Sequence, residues 1–117
     1  DQIPLTKIMR NRLCDFFGDK ANNLFSEVNH YYDVSLCGIG YHGDSERRIV
    51  IGVRVGETIP LCYKWFYNYS SVSETTTLML EHGDMYIMSE NAVGTNWKKK
   101  KTFTLRHAAG CDYYTKK

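Results

Sequence analysis

An imidazole and a carboxylate stand two residues apart, His42 and Asp44, behind a glycine-rich approach in Gly38-Ile39-Gly40-Tyr41-His42-Gly43-Asp44. In extended backbone, residues i and i+2 project to the same side, so the pair can grip one ion and leave its opposite face open. Joined by a second histidine, the pair would complete a 2-His-1-carboxylate facial triad, the donor set of non-haem Fe(II) centres that handle oxygen. The third donor is the open question, because the distal part of the chain offers no histidine where such a site would be expected to have one.

The elements that must position this pair read as one helix followed by strands. Leu5, Ile8, Met9, Leu13 and Phe16 recur at helical spacing, Pro4 and Thr6 mark a start, and Gly18 lies where a helix commonly stops. After the polar link 19–23, the segment 24–32 reads as extended or mixed. The β-branched run 48–55 predicts a strand, and further strands are expected at 61–67, 76–80, 85–88 and 102–107. Gly56, residues 68–73, 82–84 and 89–95 supply the turns and loops between them. One helix and about six short strands point to a mainly β fold, an antiparallel barrel or jelly roll.

Composition bounds the rest. A chain of 117 residues is expected to form a single domain, 1–117. Nine tyrosines, five phenylalanines and two tryptophans make it rich in aromatic residues, while a net charge of +2 is too mild to demand a nucleic-acid partner. The charge argument is therefore local, and it centres on Lys98–Lys101 beside Trp97. Cys14, Cys37, Cys62 and Cys111 contain no C-x-x-C pair and read as free thiols in a reducing, cytosol-like, intracellular setting. No apolar run is long enough for a membrane span.

Several segments, taken together and in order, resemble AlkB-like 2-oxoglutarate- and Fe(II)-dependent dioxygenases. Asn29 and Tyr31 precede the His42-Gly43-Asp44 segment much as an Asn-x-Tyr strand does in that family. Glu46-Arg47-Arg48 and Val53-Arg54-Val55-Gly56 follow in the expected order. Leu80-Glu81-His82-Gly83-Asp84-Met85-Tyr86-Ile87-Met88 looks like the family's Leu-x-His-Gly-Asp turn and strand, and Thr104-Leu105-Arg106-His107-Ala108-Ala109-Gly110 looks like its closing strand. The segment 88–97 also looks like a branch of the superfamily found in viral and environmental sequences.

The resemblance implies a double-stranded β-helix, a jelly roll with one N-terminal helix and the metal at its mouth. It implies Fe(II) held by His42 and Asp44, and 2-oxoglutarate as co-substrate. Arg106 would meet the co-substrate's distal carboxylate, since a guanidinium fork suits a carboxylate and keeps its charge. Lys100 would be a second cation, and Asn29 and Tyr31 would add hydrogen bonds. Trp97 and Lys98 would touch the substrate, with nucleic acid as a possible partner through phosphate contact and stacking.

The family's distal metal histidine follows the loop after the 85–88 strand, and there this chain reads Trp97-Lys98-Lys99-Lys100-Lys101. A protonated lysine has no lone pair to donate. His107 neighbours Arg106, and strand alternation sends the two to opposite faces; with Arg106 facing the pocket, His107 is expected to face away. His82 belongs to a tight turn, with Asp84 bonding locally. Two classes of function follow: a dioxygenase that hydroxylates or dealkylates a substrate such as a nucleobase, or a catalytically silent jelly-roll domain that binds nucleic acid, protein or a small carboxylate.

Overall fold

The structure is a computed structural model that describes residues 4–116. The chain groups into two compact units, Asp1–His30 and Tyr31–Lys117. In the first, α1 (Pro4–Phe17) ends where the periodicity predicts, before Gly18, which takes a left-handed φ of 65°. A 3-10 turn, Gly18–Ala21, follows. The segment 24–30 forms no regular element.

The second unit is mainly β. Its strands are β1 (Gly38–His42), β2 (Val50–Val53), β3 (Ile59–Tyr67), β4 (Ser70–Ser71), β5 (Thr76–Leu80), β6 (Met85–Met88) and β7 (Thr104–Gly110), with short helices α2 (Glu90–Val93) and α3 (Asp112–Thr115). A curled antiparallel sheet runs β1-β7-β3-β4, with β5 also on β3, and a separate ladder joins β2 to β6. The sequence periodicity finds β5 and β6 to the residue. It misses β4, because Asn68 and Tyr69 form a two-residue hairpin with φ of 52° and 66°, a turn type that glycine and asparagine usually signal.

The core lies between the two sheets. Leu61, Met88 and Val93 are buried, and Val50, Tyr63, Leu80, Tyr86, Ala92 and Ala109 pack around them. Leu61 and Ala109 come from the curled sheet, Val50, Tyr86 and Met88 from the β2–β6 ladder, so the apolar sides of the two face each other. Each fully buried aliphatic chain of this kind stabilises by roughly 1.5–3 kcal/mol. Gly52 stands opposite Tyr86 in the ladder, and a Cβ there would overlap the tyrosine ring. Glycine lets Tyr86 lie flat across its neighbour strand.

Two turn predictions are matched. Gly83 has φ 87°, and Asp84 accepts from the Glu81 amide at 2.7 Å, while His82 Nδ1 accepts from the Gly56 amide at 2.9 Å. All four cysteines are free thiols. Among the described residues, no helix is long and apolar enough to cross a membrane.

Candidate metal centre

The His42–Asp44 pair sits where β1 leaves the sheet. β1 and β7 pair in register at Gly38–Gly110 and Ile39–Ala109, and then at His42–His107. Gly40 and Tyr41 therefore stand against the single residue Ala108, which is a β-bulge. A bulge changes which side chain faces which side of a sheet. In a regular ladder Tyr41 would be the partner of His107; the extra residue puts His42 there instead, with ring centroids 4.4 Å apart.

Asp44 closes the group. Its Oδ1 lies 3.6 Å from His42 Nε2 and its Oδ2 3.6 Å from His107 Nε2. One donor atom from each of His42, Asp44 and His107 lies within 4.8 Å of the others. Two donors about 2.1 Å from one ion and at roughly right angles to tetrahedral spread stand about 3.0–3.4 Å apart. The three side chains are thus near the separation that a shared ion requires.

The protonation pattern suits the same purpose. His42 Nδ1 lies 2.8 Å from the Gly40 carbonyl oxygen, which can only accept, so that nitrogen carries the proton and Nε2 keeps its lone pair. His107 is 5% exposed and its pKa is pushed down to about 4, chiefly by burial and next by His42, against the opposing pull of Asp44 and the Ala92 carbonyl. It is neutral at pH 7, as a ligand must be. Its Nδ1 is buried without a well-formed hydrogen bond. Two imidazoles and one carboxylate around a common point are a donor set that fits a divalent cation.

Two tyrosines, Tyr63 and Tyr86, border this group, and a third, Tyr31, lies beside Tyr86. Tyr63 is the cross-strand partner of His107, its ring 6.0 Å from the imidazole, and burial beside Tyr86 pushes its pKa up to about 12. Tyr86 is raised by burial and also by the charge of Asp44, with Arg54 opposing. Tyr31 is raised by burial, and the Arg54 guanidinium stands 5.9 Å from its ring centre. All three keep their protons at neutral pH and present hydroxyl donors.

The remaining predicted site residues fall elsewhere. Arg106 and His107 do alternate, but in the opposite sense to the expectation. His107 faces His42 and Asp44, and Arg106 faces the other side of the sheet. There the Arg106 guanidinium lies 4.3 Å from the Phe66 ring centre, 5.3 Å from Trp97 and 5.9 Å from Tyr69, and donates to the Trp97 carbonyl at 3.0 Å. The physical reason is the register: Lys64 and Arg106 are one cross-strand pair, Tyr63 and His107 the next, and only the second shares a face with His42. Trp97 is half-buried against Gly43, Lys98 reaches over the Trp97 ring, and Lys100 is exposed with its carbonyl bonded to the Asn68 amide. Asn29 is exposed and belongs to the first unit.

Sequence reasoning missed His107, Tyr63, Tyr86 and Arg54. The signal for His107 was present in the doubled glycine, Gly38 and Gly40, which marks a place where a strand can bulge.

An uncharacterized protein of Acanthamoeba polyphaga mimivirus is 59% identical over 114 residues, a match covering 97% of this chain. The chain spans 44% of that relative's length. No family model matches the chain, and no solved structure matches it.

Proposed function

We propose that this chain is a 2-oxoglutarate- and Fe(II)-dependent oxygenase domain of AlkB-like type, built as a double-stranded β-helix, in which His42, Asp44 and His107 hold the metal. The single observation that carries the reading is the convergence of these three donors from β1, the loop behind it and β7. They form the facial set that leaves an ion open on one side. Bound Fe(II) would supply the activation of oxygen. The chain's own residues do the rest: His42 is oriented by the Gly40 carbonyl, His107 is kept neutral by burial, and Asp44 supplies the negative charge.

The co-substrate's carboxylate needs a cation and hydrogen-bond donors. In this reading Arg54 supplies the cation, and Tyr31 and Tyr86, both within its electrostatic reach, supply donors. The substrate side is the sheet face that carries His107. Period-two alternation puts Trp65, Leu105 and Tyr67 on that face. Trp65 is 43% exposed, and Phe103, 63% exposed, stacks on Tyr67 at 4.9 Å. The exposed lysines 98–101 lie along the neighbouring loop, tied to the β3–β4 hairpin through the Lys98 and Lys100 carbonyls. Flat rings beside positive charge suit an unpaired base and its phosphate, which supports a nucleobase substrate.

A second reading, a jelly-roll domain that binds nucleic acid, protein or a small carboxylate without oxidising it, is favoured by one observation. Arg106, the cation that the resemblance assigns to the co-substrate, is enclosed by aromatic rings on the other face of the sheet. The separating experiment is succinate formation from 2-oxoglutarate under air with added Fe(II). The oxygenase reading expects turnover in wild type and none in His42→Ala or His107→Ala. Robust turnover in His107→Ala would remove that residue from the centre, and none in any protein would favour the binding domain.

A further inference from the structure

We infer that Arg106 and Trp97 are positioning residues for Asp44, a brace that sets the carboxylate of the metal centre from the opposite face of β7. The inference rests on the metal-centre reading above, and begins from three consecutive residues. Gly43, Asp44 and Ser45 are each docked on the segment 93–97. A Cβ on Gly43 would lie 2.8 Å from both Cβ and Cδ1 of Trp97 and would overlap the Gly94 carbonyl. The Asp44 amide donates to the Val93 carbonyl at 3.0 Å. The Ser45 hydroxyl accepts from the Trp97 indole N–H at 3.1 Å.

The Asp44 carboxylate therefore extends from a backbone held on both sides by one indole. That indole is in turn fixed by Arg106. Arg106 as a residue is 8% exposed, and its guanidinium donates to the Trp97 carbonyl and lies against the Trp97 ring, with Phe66 behind it. Gly94 completes the fit: its φ of 76° and its approach to the Leu105 carbonyl leave no room for a side chain. An interior guanidinium with no carboxylate partner among the described residues is costly to keep. Holding a ligand-bearing loop by a planar, multi-donor group is a role that an apolar side chain could not fill.

One strand thus governs two of the three ligands. β7 presents His107 directly on one face and, through Arg106 and Trp97 on the other, sets Asp44. Groups that orient metal ligands typically change metal affinity by ten- to a hundredfold when removed.

The test uses the whole chain, with two readouts that a general loss of stability would not move together. Co(II) affinity is measured by titration calorimetry for wild type, Arg106→Met, Arg106→Lys, Trp97→Phe and Ser45→Ala, each checked for native far-UV circular dichroism. Hydrogen exchange of the Asp44 amide is measured by NMR without metal. Arg106→Met is expected to weaken Co(II) binding about tenfold or more and to speed Asp44 exchange by a similar factor, while amides of β5 stay protected. Arg106→Lys should recover part of both losses. Ser45→Ala breaks only the indole bond, Trp97→Phe removes that bond and part of the ring against Arg106, and each should weaken binding by roughly two- to fivefold, so the brace stays testable if Arg106→Met does not fold. Wild-type Co(II) affinity and wild-type Asp44 exchange in the folded variants would overturn the brace. A wild type that binds no Co(II), with Asp44 exchange still accelerated in Arg106→Met, would overturn the metal-centre reading and leave the brace as a mechanical fact.

Discussion

His42 stands directly opposite His107 across the β1–β7 ladder only because Gly40 and Tyr41 together face the single residue Ala108. The bulge converts a tyrosine–histidine pair into a histidine–histidine pair. Everything at the candidate centre depends on that one-residue change of parity, since side chains alternate with a period of two.

Inserting one alanine between Tyr41 and His42 should therefore remove the centre while leaving most of the sheet. The alanine would then meet His107, and His42 would turn to the opposite face of the sheet. Co(II) affinity is expected to fall at least about a hundredfold, with far-UV circular dichroism close to wild type. Undiminished binding would show that the bulge does not set the ligand geometry.

His42→Ala, Asp44→Ala and His107→Ala should each weaken metal binding to a comparable extent, at one ion per chain. Lys98→His should gain nothing, because His107 already occupies the third position and Lys98 points over the Trp97 ring. Calorimetric titration with Co(II) measures all four. A clear gain in Lys98→His would mean that the third ligand has been assigned to the wrong strand.

Metal-free protein should lose stability as pH falls between about 6.5 and 4 on account of His107. Its folded pKa of about 4 lies below the ordinary 6.5, so the unfolded chain takes up the proton first. The contribution is complete above about pH 6.5, erodes on acidification and is gone below about pH 4. Its ceiling is roughly 3 kcal/mol from the width of that window. Urea midpoints in chelator at pH 7 and pH 5 should fall further for wild type than for His107→Leu, which cannot titrate. Equal falls would show that the imidazole is not desolvated.

Arg54 separates metal binding from co-substrate binding. With Co(II) present, 2-oxoglutarate should raise the wild-type Tm further, by about 2.7 kcal/mol of stabilisation at a hundredfold excess over its dissociation constant. Arg54→Ala should keep the Co(II) shift and lose most of the 2-oxoglutarate increment. An increment that survives Arg54→Ala would move the carboxylate site to another cation.

Gly52→Ala should destabilise the β2–β6 ladder by about 1–3 kcal/mol, because the added methyl overlaps the Tyr86 ring that crosses it. Thermal unfolding followed by tyrosine fluorescence measures the loss. A stability equal to wild type would mean that Tyr86 has room to rotate away.

The sequence alone determined the local features. Period-two runs located β5 and β6 to the residue, helical spacing ended α1 at Gly18, and His-Gly-Asp at 82–84 read as a turn because glycine at a positive φ and a short acceptor beside it are local properties. The His42–Asp44 pair was legible for the same reason: two donors two residues apart need no distant partner to be recognised. Alternation was also correctly read as separating Arg106 from His107. What it lacked was the phase, which residue of the pair faces His42 and Asp44. That phase is set by the pairing of β7 with β3 and by the bulge in β1, contacts between residues 38–72 positions apart along the chain. Only the tertiary structure holds that information, because a strand's pattern fixes which residues share a face and its neighbours decide which face that is. The same holds for Tyr63, Tyr86 and Arg54, which come from three different strands or their ends and meet around Tyr86 only when the two sheets close on each other.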